Sequence, residues 1–142
     1  MNRFVADANV ALDWVIPSSE GEKYSVQFFD LVIKKTPELF VPMHFDVEVA
    51  RVMRKTHKRK PDEFSKKWYE DGLKALDQVG FITIGQGINL ELLGQLAEAY
   101  SLDVVDVPYI HLARTFDVPL VTRDKGLISA CKHWNIIHWQ PQ

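Results

Sequence analysis

The sequence predicts an α/β fold in which a parallel sheet of about four or five strands is flanked by helices on both faces. Three observations lead to this prediction. Short runs of β-branched and aromatic residues recur along the chain, and segments with helical spacing of apolar residues separate them. Strands that alternate with helices form parallel sheets with helices on both sides. With 142 residues, 46% of them hydrophobic, the chain is predicted to be a single domain over residues 1–142.

The first half of the chain contains two predicted strands. Arg3-Phe4-Val5-Ala6 is a β-branched and aromatic run, and the short helix after it is stopped by Pro17. In the next segment apolar residues recur at i, i+4, i+7 and i+8, which predicts one apolar helix face. Pro42 closes the second strand. The predicted elements are a strand at 3–6, helices at 9–15 and 20–35, a strand at 39–41 and a helix that includes 47–53.

The second half repeats this alternation. Phe64, Trp68 and Leu76 mark a helix, and Pro108 precedes another. Gly85-Gln86-Gly87 predicts a turn after the third strand. The predicted elements are a helix at about 64–78, a strand at 81–84, helices at 92–100 and 110–114, a strand at 119–122, a helix at 125–132 and a last strand at 136–137.

Composition narrows the class of protein. The chain has 17 Lys and Arg against 19 Asp and Glu, so its formal charge of -2 neither favours nor excludes a nucleic-acid partner. Cys131 is the only cysteine, which rules out an intrachain disulfide and favours the reducing cytoplasm. No segment approaches the roughly 20 apolar residues that span a bilayer, and the N-terminus lacks the pattern of a signal peptide. We therefore expect a cytoplasmic protein without a membrane partner.

Four acidic residues are predicted to lie at one edge of the sheet. Asp7 directly follows the first strand, and Asp124 follows the fourth strand by two residues. Glu48 lies in the helix after the second strand, and Asp106 lies at the start of the helix before the fourth. In open parallel sheets, ligands bind beyond the carboxyl ends of the strands. The topology therefore brings these four side chains to the edge at which such a site forms.

Converging carboxylates need protons or cations. Two of them 4 Å apart repel by about 4 kcal/mol at an effective dielectric constant near 20. An oxygen-only donor set suits magnesium or manganese, which would polarise a phosphate and activate water. The alternative is structural, because Asp7, Asp106 and Asp124 each stand where a helix N-cap belongs. Glu48 fits that alternative worst, since it lies within a helix between two valines.

The motifs around these acids resemble the PIN-domain family, specifically its VapC-type members, over nearly the whole chain. The last two motifs are the most specific, because their order and spacing match together. The four motifs are Phe4-Val5-Ala6-Asp7-Ala8-Asn9-Val10; Val41-Pro42 with Glu48-Val49-Ala50-Arg51-Val52; Tyr100-Ser101-Leu102-Asp103-Val104-Val105-Asp106-Val107-Pro108-Tyr109-Ile110-His111-Leu112-Ala113; and Val118-Pro119-Leu120-Val121-Thr122-Arg123-Asp124-Lys125-Gly126-Leu127.

The resemblance implies a magnesium-dependent endoribonuclease that is the toxin of a toxin–antitoxin pair, with a cognate antitoxin and a homodimer expected. Its catalytic and metal-binding residues would be Asp7, Glu48, Asp106 and Asp124. Asn9 and Thr122 would orient these carboxylates. Three positions depart from the family pattern: Asn9 stands where Ser or Thr is common, Val107 where Ala is usual, and Asp103 where a hydroxyl residue is usual. Asp103 therefore remains an alternative that shares or replaces the ligand role of Asp106.

A basic stretch continues from the Glu48 helix. Six of the 17 basic residues lie between residues 51 and 60, and they predict either a solvated helix end or contacts to RNA phosphates. The resemblance favours RNA. The predicted RNA-binding residues are Arg51, Arg54, Lys55, Lys58 and Arg59.

Other functions use the same residues. A carboxylate–magnesium centre also serves DNA nucleases and phosphatases, and spacing alone does not separate these activities. A non-catalytic binding module would keep the acids only as caps or ion-pair partners. A chain that acts chiefly by binding another protein is the third alternative.

Overall fold

The computed structural model describes residues 2–85 and 87–142, and the side chain of Glu22 is left out. The predicted turn at Gly85-Gln86-Gly87 contains Gln86, which lies outside the described residues. Two helices separate each pair of successive strands among the described elements. The elements are β1 (Arg3–Ala6), α1 (Ala8–Asp13), α2 (Ser19–Lys35), β2 (Glu38–Pro42), α3 (Phe45–Arg59), α4 (Lys66–Asp77), β3 (Ile82–Ile84), α5 (Leu90–Tyr100), α6 (Val107–Phe116), β4 (Leu120–Val121) and α7 (Lys125–His133).

The four strands form one parallel sheet in the order β3-β2-β1-β4. Side chains alternate between its faces, and each face has its own core. On one face Phe4 and Val121 pack with Phe28 of α2. On the other face Val5 and Leu120 pack in the cluster that contains α6. The predicted α/β fold, a parallel sheet with helices on both faces, is thereby confirmed.

The fifth predicted strand is wrong. Residues 136–137 form no strand, and the C-terminal segment makes only an isolated parallel bridge between Leu120 and His138. The reason is the length of its neighbour: β4 has two residues, so it offers a ladder too short to extend. The sheet therefore has four strands, the lower of the two predicted numbers.

Three of the acidic residues stand immediately before helices. Asp7 precedes α1, Asp106 precedes α6, whose first turn contains Pro108, and Asp124 precedes α7. Proline suits this position because the first helical N–H groups have no intrahelical partner. Across the described residues, no helix is both long and apolar enough to cross a membrane.

Candidate active site

Asp7 and Thr122 meet at the carboxyl ends of β1 and β4. The backbone N–H of Asp7 donates to the carbonyl of Val121 (2.9 Å), which extends the strand pairing by one step. The hydroxyl of Thr122 donates to Oδ2 of Asp7 (2.6 Å) and accepts the N–H of Asp124 (3.0 Å). Asp7 is 6% exposed and Thr122 is fully buried. We call Asp7, Thr122 and Asp124 the strand corner.

The loop that contains Thr122, Arg123 and Asp124 is also held by an ion pair with α1. Arg123 forms a two-pronged ion pair with Asp13 of α1, with nitrogen–oxygen distances of 2.6 and 2.8 Å. The side chain of Asp13 is only 8% exposed, so this pair fixes a buried charge. Asp124 itself caps α7, because its Oδ2 accepts the N–H of Leu127 (2.9 Å). The capping interpretation therefore holds for Asp124, with one oxygen engaged.

Glu48 and Asp106 lie at the starts of α3 and α6, and we call them the helix corner. The hydroxyl of Tyr109 donates to Oε1 of Glu48 (2.7 Å), and Nε2 of His44 lies 3.0 Å from the same oxygen. The hydrogen bond between His44 and Glu48 raises the pKa of His44. His44 also contacts the carbonyl of Val105, at 2.9 Å, which ties the start of α3 to the loop before Asp106.

Asp106 and Asp103 are placed differently. Asp106 is half-buried and makes no side-chain capping bond, so both of its oxygens are free of the helix start. Asp103 is exposed, and its Oδ1 accepts the N–H of Val105 (3.0 Å) within its own turn. Asp7 likewise makes no side-chain cap to α1. The capping interpretation is therefore wrong for Asp7 and Asp106.

The acids interact electrostatically. Burial raises the pKa of Asp7 to about 7, and the charges of Asp106, Glu48 and Asp124 add to the rise, against the hydrogen bond from Thr122. Burial also raises the pKa of Asp106 to about 6, with further contributions from Asp124, Asp103 and Glu48. Among residues 2–85 and 87–142, no three His, Cys, Asp or Glu side chains are already grouped at metal-holding distances. The four acids thus repel one another without forming a closed ligand set.

The remaining predicted residues lie on α1, which follows Asp7, and on α3, which contains Glu48. Oδ1 of Asn9, the second residue of α1, is buried and has no hydrogen-bond partner among the described residues. A buried acceptor without a donor is costly. It therefore suits a bound water or a cation. The five predicted RNA-binding residues are exposed along α3, beyond Glu48, and form no ion pair within the described part of the chain; they are Arg51, Arg54, Lys55, Lys58 and Arg59.

Several contacts of the site had no role in the sequence analysis. His44 lies four residues before Glu48, a helical spacing that makes contact possible and that a closer search would detect. Tyr109 contacts Glu48 across 61 residues, and no local spacing indicates that pairing. The pair of Arg123 and Asp13 spans 110 residues, and no local pattern announces it.

Comparisons with known proteins identify the family and the fold. The family model described as PIN domain matches residues 4–132. The structure titled PAE2754 from Pyrobaculum aerophilum is similar with a TM-score of 0.67 at 17% identity, covering 90% of this chain and 84% of that one. The structure titled FitAcB from Neisseria gonorrhoeae is similar with a TM-score of 0.58 at 14% identity, covering 97% of each chain. No curated protein matches the sequence.

The two structural similarities support the fold, and the family match supports the identity of the domain. The family match covers β1 from Phe4 onward and all of β2, β3 and β4, and it includes Asp7, Glu48, Asp106 and Asp124. PIN domains are typically nucleases that use divalent metal ions. The chain belongs to the PIN-domain family.

Proposed function

We propose that this protein is a magnesium-dependent endoribonuclease, with manganese as a possible substitute, that acts as a VapC-type toxin. One observation carries the proposal: Asp7 is buried beside three other acids, each of which raises its pKa. With its pKa raised to about 7 by burial, Asp7 is only about half ionised at neutral pH, and a bound cation would favour the ionised form. The family match supports a nuclease, and the motifs around the acids support RNA as substrate.

The donor set fits a hard cation. Asp7, Glu48, Asp106 and Asp124 offer only oxygen ligands, and Asn9, two residues after Asp7, has a buried Oδ1 without a partner among the described residues. When bound, magnesium would neutralise these carboxylates, polarise the scissile phosphate and lower the pKa of a bound water. The protein's own side chains would position these carboxylates for the cation.

The two corners position their carboxylates through different donors. Thr122 orients Asp7, while Tyr109 and His44 orient Glu48. Fixed hydrogen-bond partners of this kind set the direction of ligand lone pairs before a cation arrives. Asp106 keeps both oxygens free of its helix start and is the proposed ligand in preference to Asp103.

The first experiment measures cleavage of RNA, single-stranded DNA and a generic phosphoester with magnesium, with manganese and with excess EDTA. We expect RNA cleavage that needs either ion and stops with the chelator. Cleavage of RNA that persists in EDTA contradicts the metal mechanism. Cleavage of DNA or of the phosphoester in preference to RNA would replace the substrate class and keep the site.

The basic residues of α3 lie at different angles around the helix from Glu48. Arg51, Lys55 and Arg59 lie three, seven and eleven residues after Glu48, so at 100° per residue they share its side. Arg54 and Lys58 lie roughly a quarter to a third of a turn away. All five are exposed. RNA that enters the site would therefore run along the side that begins at Glu48.

A matched pair of variants tests this arrangement. R51Q/K55Q and R54Q/K58Q each remove one Arg and one Lys from the same helix. We expect the first to weaken RNA binding more and to lower the slope of log affinity against log salt by about 1.4, because each lost phosphate contact to a single strand contributes about 0.7. If both double variants weaken RNA binding equally, the helix attracts RNA only through its overall charge. If neither changes RNA binding, the basic residues form a solvated helix end.

Four further proposals concern the antitoxin, the oligomeric state, the location and the domain organisation. The VapC-type motifs support a cognate antitoxin and a homodimer in the cytoplasm. The contacts between His138 and β4 support a single domain over residues 1–142. Light scattering of the purified chain, alone and co-expressed with the product of the neighbouring reading frame, tests the first two. A monomer that leaves that product unbound contradicts both.

A further inference from the structure

Thr122 is held on both sides of its backbone by side chains from distant parts of the chain. Its N–H donates to the hydroxyl of Tyr24 in α2 (3.2 Å). Its carbonyl lies 2.8 Å from Nε2 of His138 in the C-terminal segment. Because β4 ends at Val121, the sheet itself does not hold these two groups. The side chains of Tyr24 and His138 therefore bind the two backbone groups that a longer strand would have paired.

His138 is in turn fixed against β4. Leu120 exchanges backbone hydrogen bonds with the segment, donating to Ile137 (2.9 Å) and accepting from Trp139 (3.0 Å). The hydroxyl of Tyr24 donates to the carbonyl of Trp139 (2.8 Å) and lies 3.0 Å from Nε2 of His138, with the two rings stacked. This small network links the C-terminal segment to the loop of the strand corner.

The partners of His138 also fix the proton on its ring. The carbonyl of Thr122 can only accept, so Nε2 carries the proton. The amide nitrogen of Gln140, 2.8 Å from Nδ1, can only donate, so Nδ1 accepts. The neutral Nε2–H form satisfies both contacts. The carbonyl of Thr122 therefore needs a hydrogen-bond donor at the position of Nε2.

We propose that Tyr24 and His138 are positioning residues for the nuclease site. By holding the backbone of Thr122, they fix the hydroxyl that donates to Asp7 and accepts from Asp124. The inference rests on the proposed function, since it assigns these residues to a cation site at Asp7. His138 lies outside the residues that match the family model, which end at 132. The family match itself therefore assigns His138 no role.

The experiment measures Mn²⁺ affinity by calorimetry in the full chain for Y24F, H138L and H138Q. Y24F and H138L each remove one support, and we expect each to weaken Mn²⁺ binding by about tenfold, at the lower end of the effect of outer partners on metal sites. Gln places an amide N–H where Nε2–H stands, so H138Q should recover most of the affinity. RNA cleavage should fall in kcat, with KM for RNA unchanged.

The control is Y100F. Tyr100 is buried and its hydroxyl accepts from Arg114 (3.2 Å), so this variant loses a tyrosine hydroxyl bond without touching Thr122. Thermal melts of all four variants report the purely structural cost. The proposal is overturned if Y24F and H138L bind Mn²⁺ as Y100F does, or if H138Q binds no better than H138L. A wild-type chain that binds Mn²⁺ but does not cleave RNA contradicts the proposed function and leaves this comparison intact.

Discussion

The strand corner and the helix corner hold their carboxylates in opposite ways. Asp7 is fixed by backbone pairing to β4 and by a buried hydroxyl, and it is 6% exposed. Glu48 is 29% exposed in its side chain and is held by two other side chains, Tyr109 and His44, at a single oxygen. One corner is therefore built by the sheet, and the other by side chains on two helices.

This difference assigns different tasks to the two corners. The position of Asp7 follows from the strand register, so it is set as soon as the sheet forms, and its burial concentrates the electrostatic cost there. Glu48 and Asp106 are more exposed, so water screens their charges better and their side chains can adjust. We infer that Asp7 supplies the fixed point of the site and that the helix corner closes around a cation.

The largest expected effect is loss of cleavage from either corner. Asp7→Asn and Asp106→Asn each remove a proposed ligand, so RNA cleavage should fall to background, and Asp124→Asn and Glu48→Gln should behave alike. Asp103→Asn is the matched control, because Asp103 is engaged in its own turn. Single-turnover rates on folded variants measure this. An inactive Asp103 variant beside an active Asp106 variant would move the ligand assignment by one helical turn.

The second effect concerns stability and pH. The pKa of Asp7 is raised from 3.8 to about 7 by burial, so folding favours its protonated form. Its contribution to stability is therefore present below pH 4 and lost as pH rises toward 7, by about 4 kcal/mol in the metal-free protein. Asp7→Asn should abolish this dependence and stabilise the protein at pH 8. Urea unfolding between pH 4 and 8 tests it, and identical pH profiles for the two proteins would contradict it.

The sequence predicted one corner more completely than the other. Asp7, Thr122 and Asp124 follow from strand ends, because a parallel sheet brings those ends together whatever the side chains do. The contact of Glu48 with Tyr109 depends on how α3 and α6 pack, which periodicity does not encode. The ion pair of Arg123 with Asp13 joins residues 110 positions apart, and the contact of His138 with Thr122 joins residues 16 positions apart. Neither contact can be predicted without the fold.

The third effect separates a buried support from a surface pair. Arg123→Met leaves Asp13 charged and almost buried, and we expect a loss of about 3 kcal/mol in the free energy of unfolding. Arg3→Met breaks the pair with Glu38, whose side chains are 56% and 47% exposed, and should cost less than about 1 kcal/mol. Chemical denaturation of both variants gives the comparison. Equal losses would mean that the strand corner gains nothing from Arg123.

The smallest single effects should come from the helix corner, because its support is duplicated. Tyr109 and His44 reach the same oxygen of Glu48, so Tyr109→Phe or His44→Ala alone leaves one partner and should lower kcat by no more than about tenfold. The double variant leaves Glu48 without either partner, and its loss should exceed the product of the two single losses. Thr122→Val provides the contrast: the hydroxyl is the side-chain partner of Asp7 in this structure, so this one substitution should cost more than Tyr109→Phe, while Thr122→Ser retains activity. If the loss of kcat in the double variant equals the product of the two single losses, and Thr122→Val lowers kcat only slightly, the two corners are held alike.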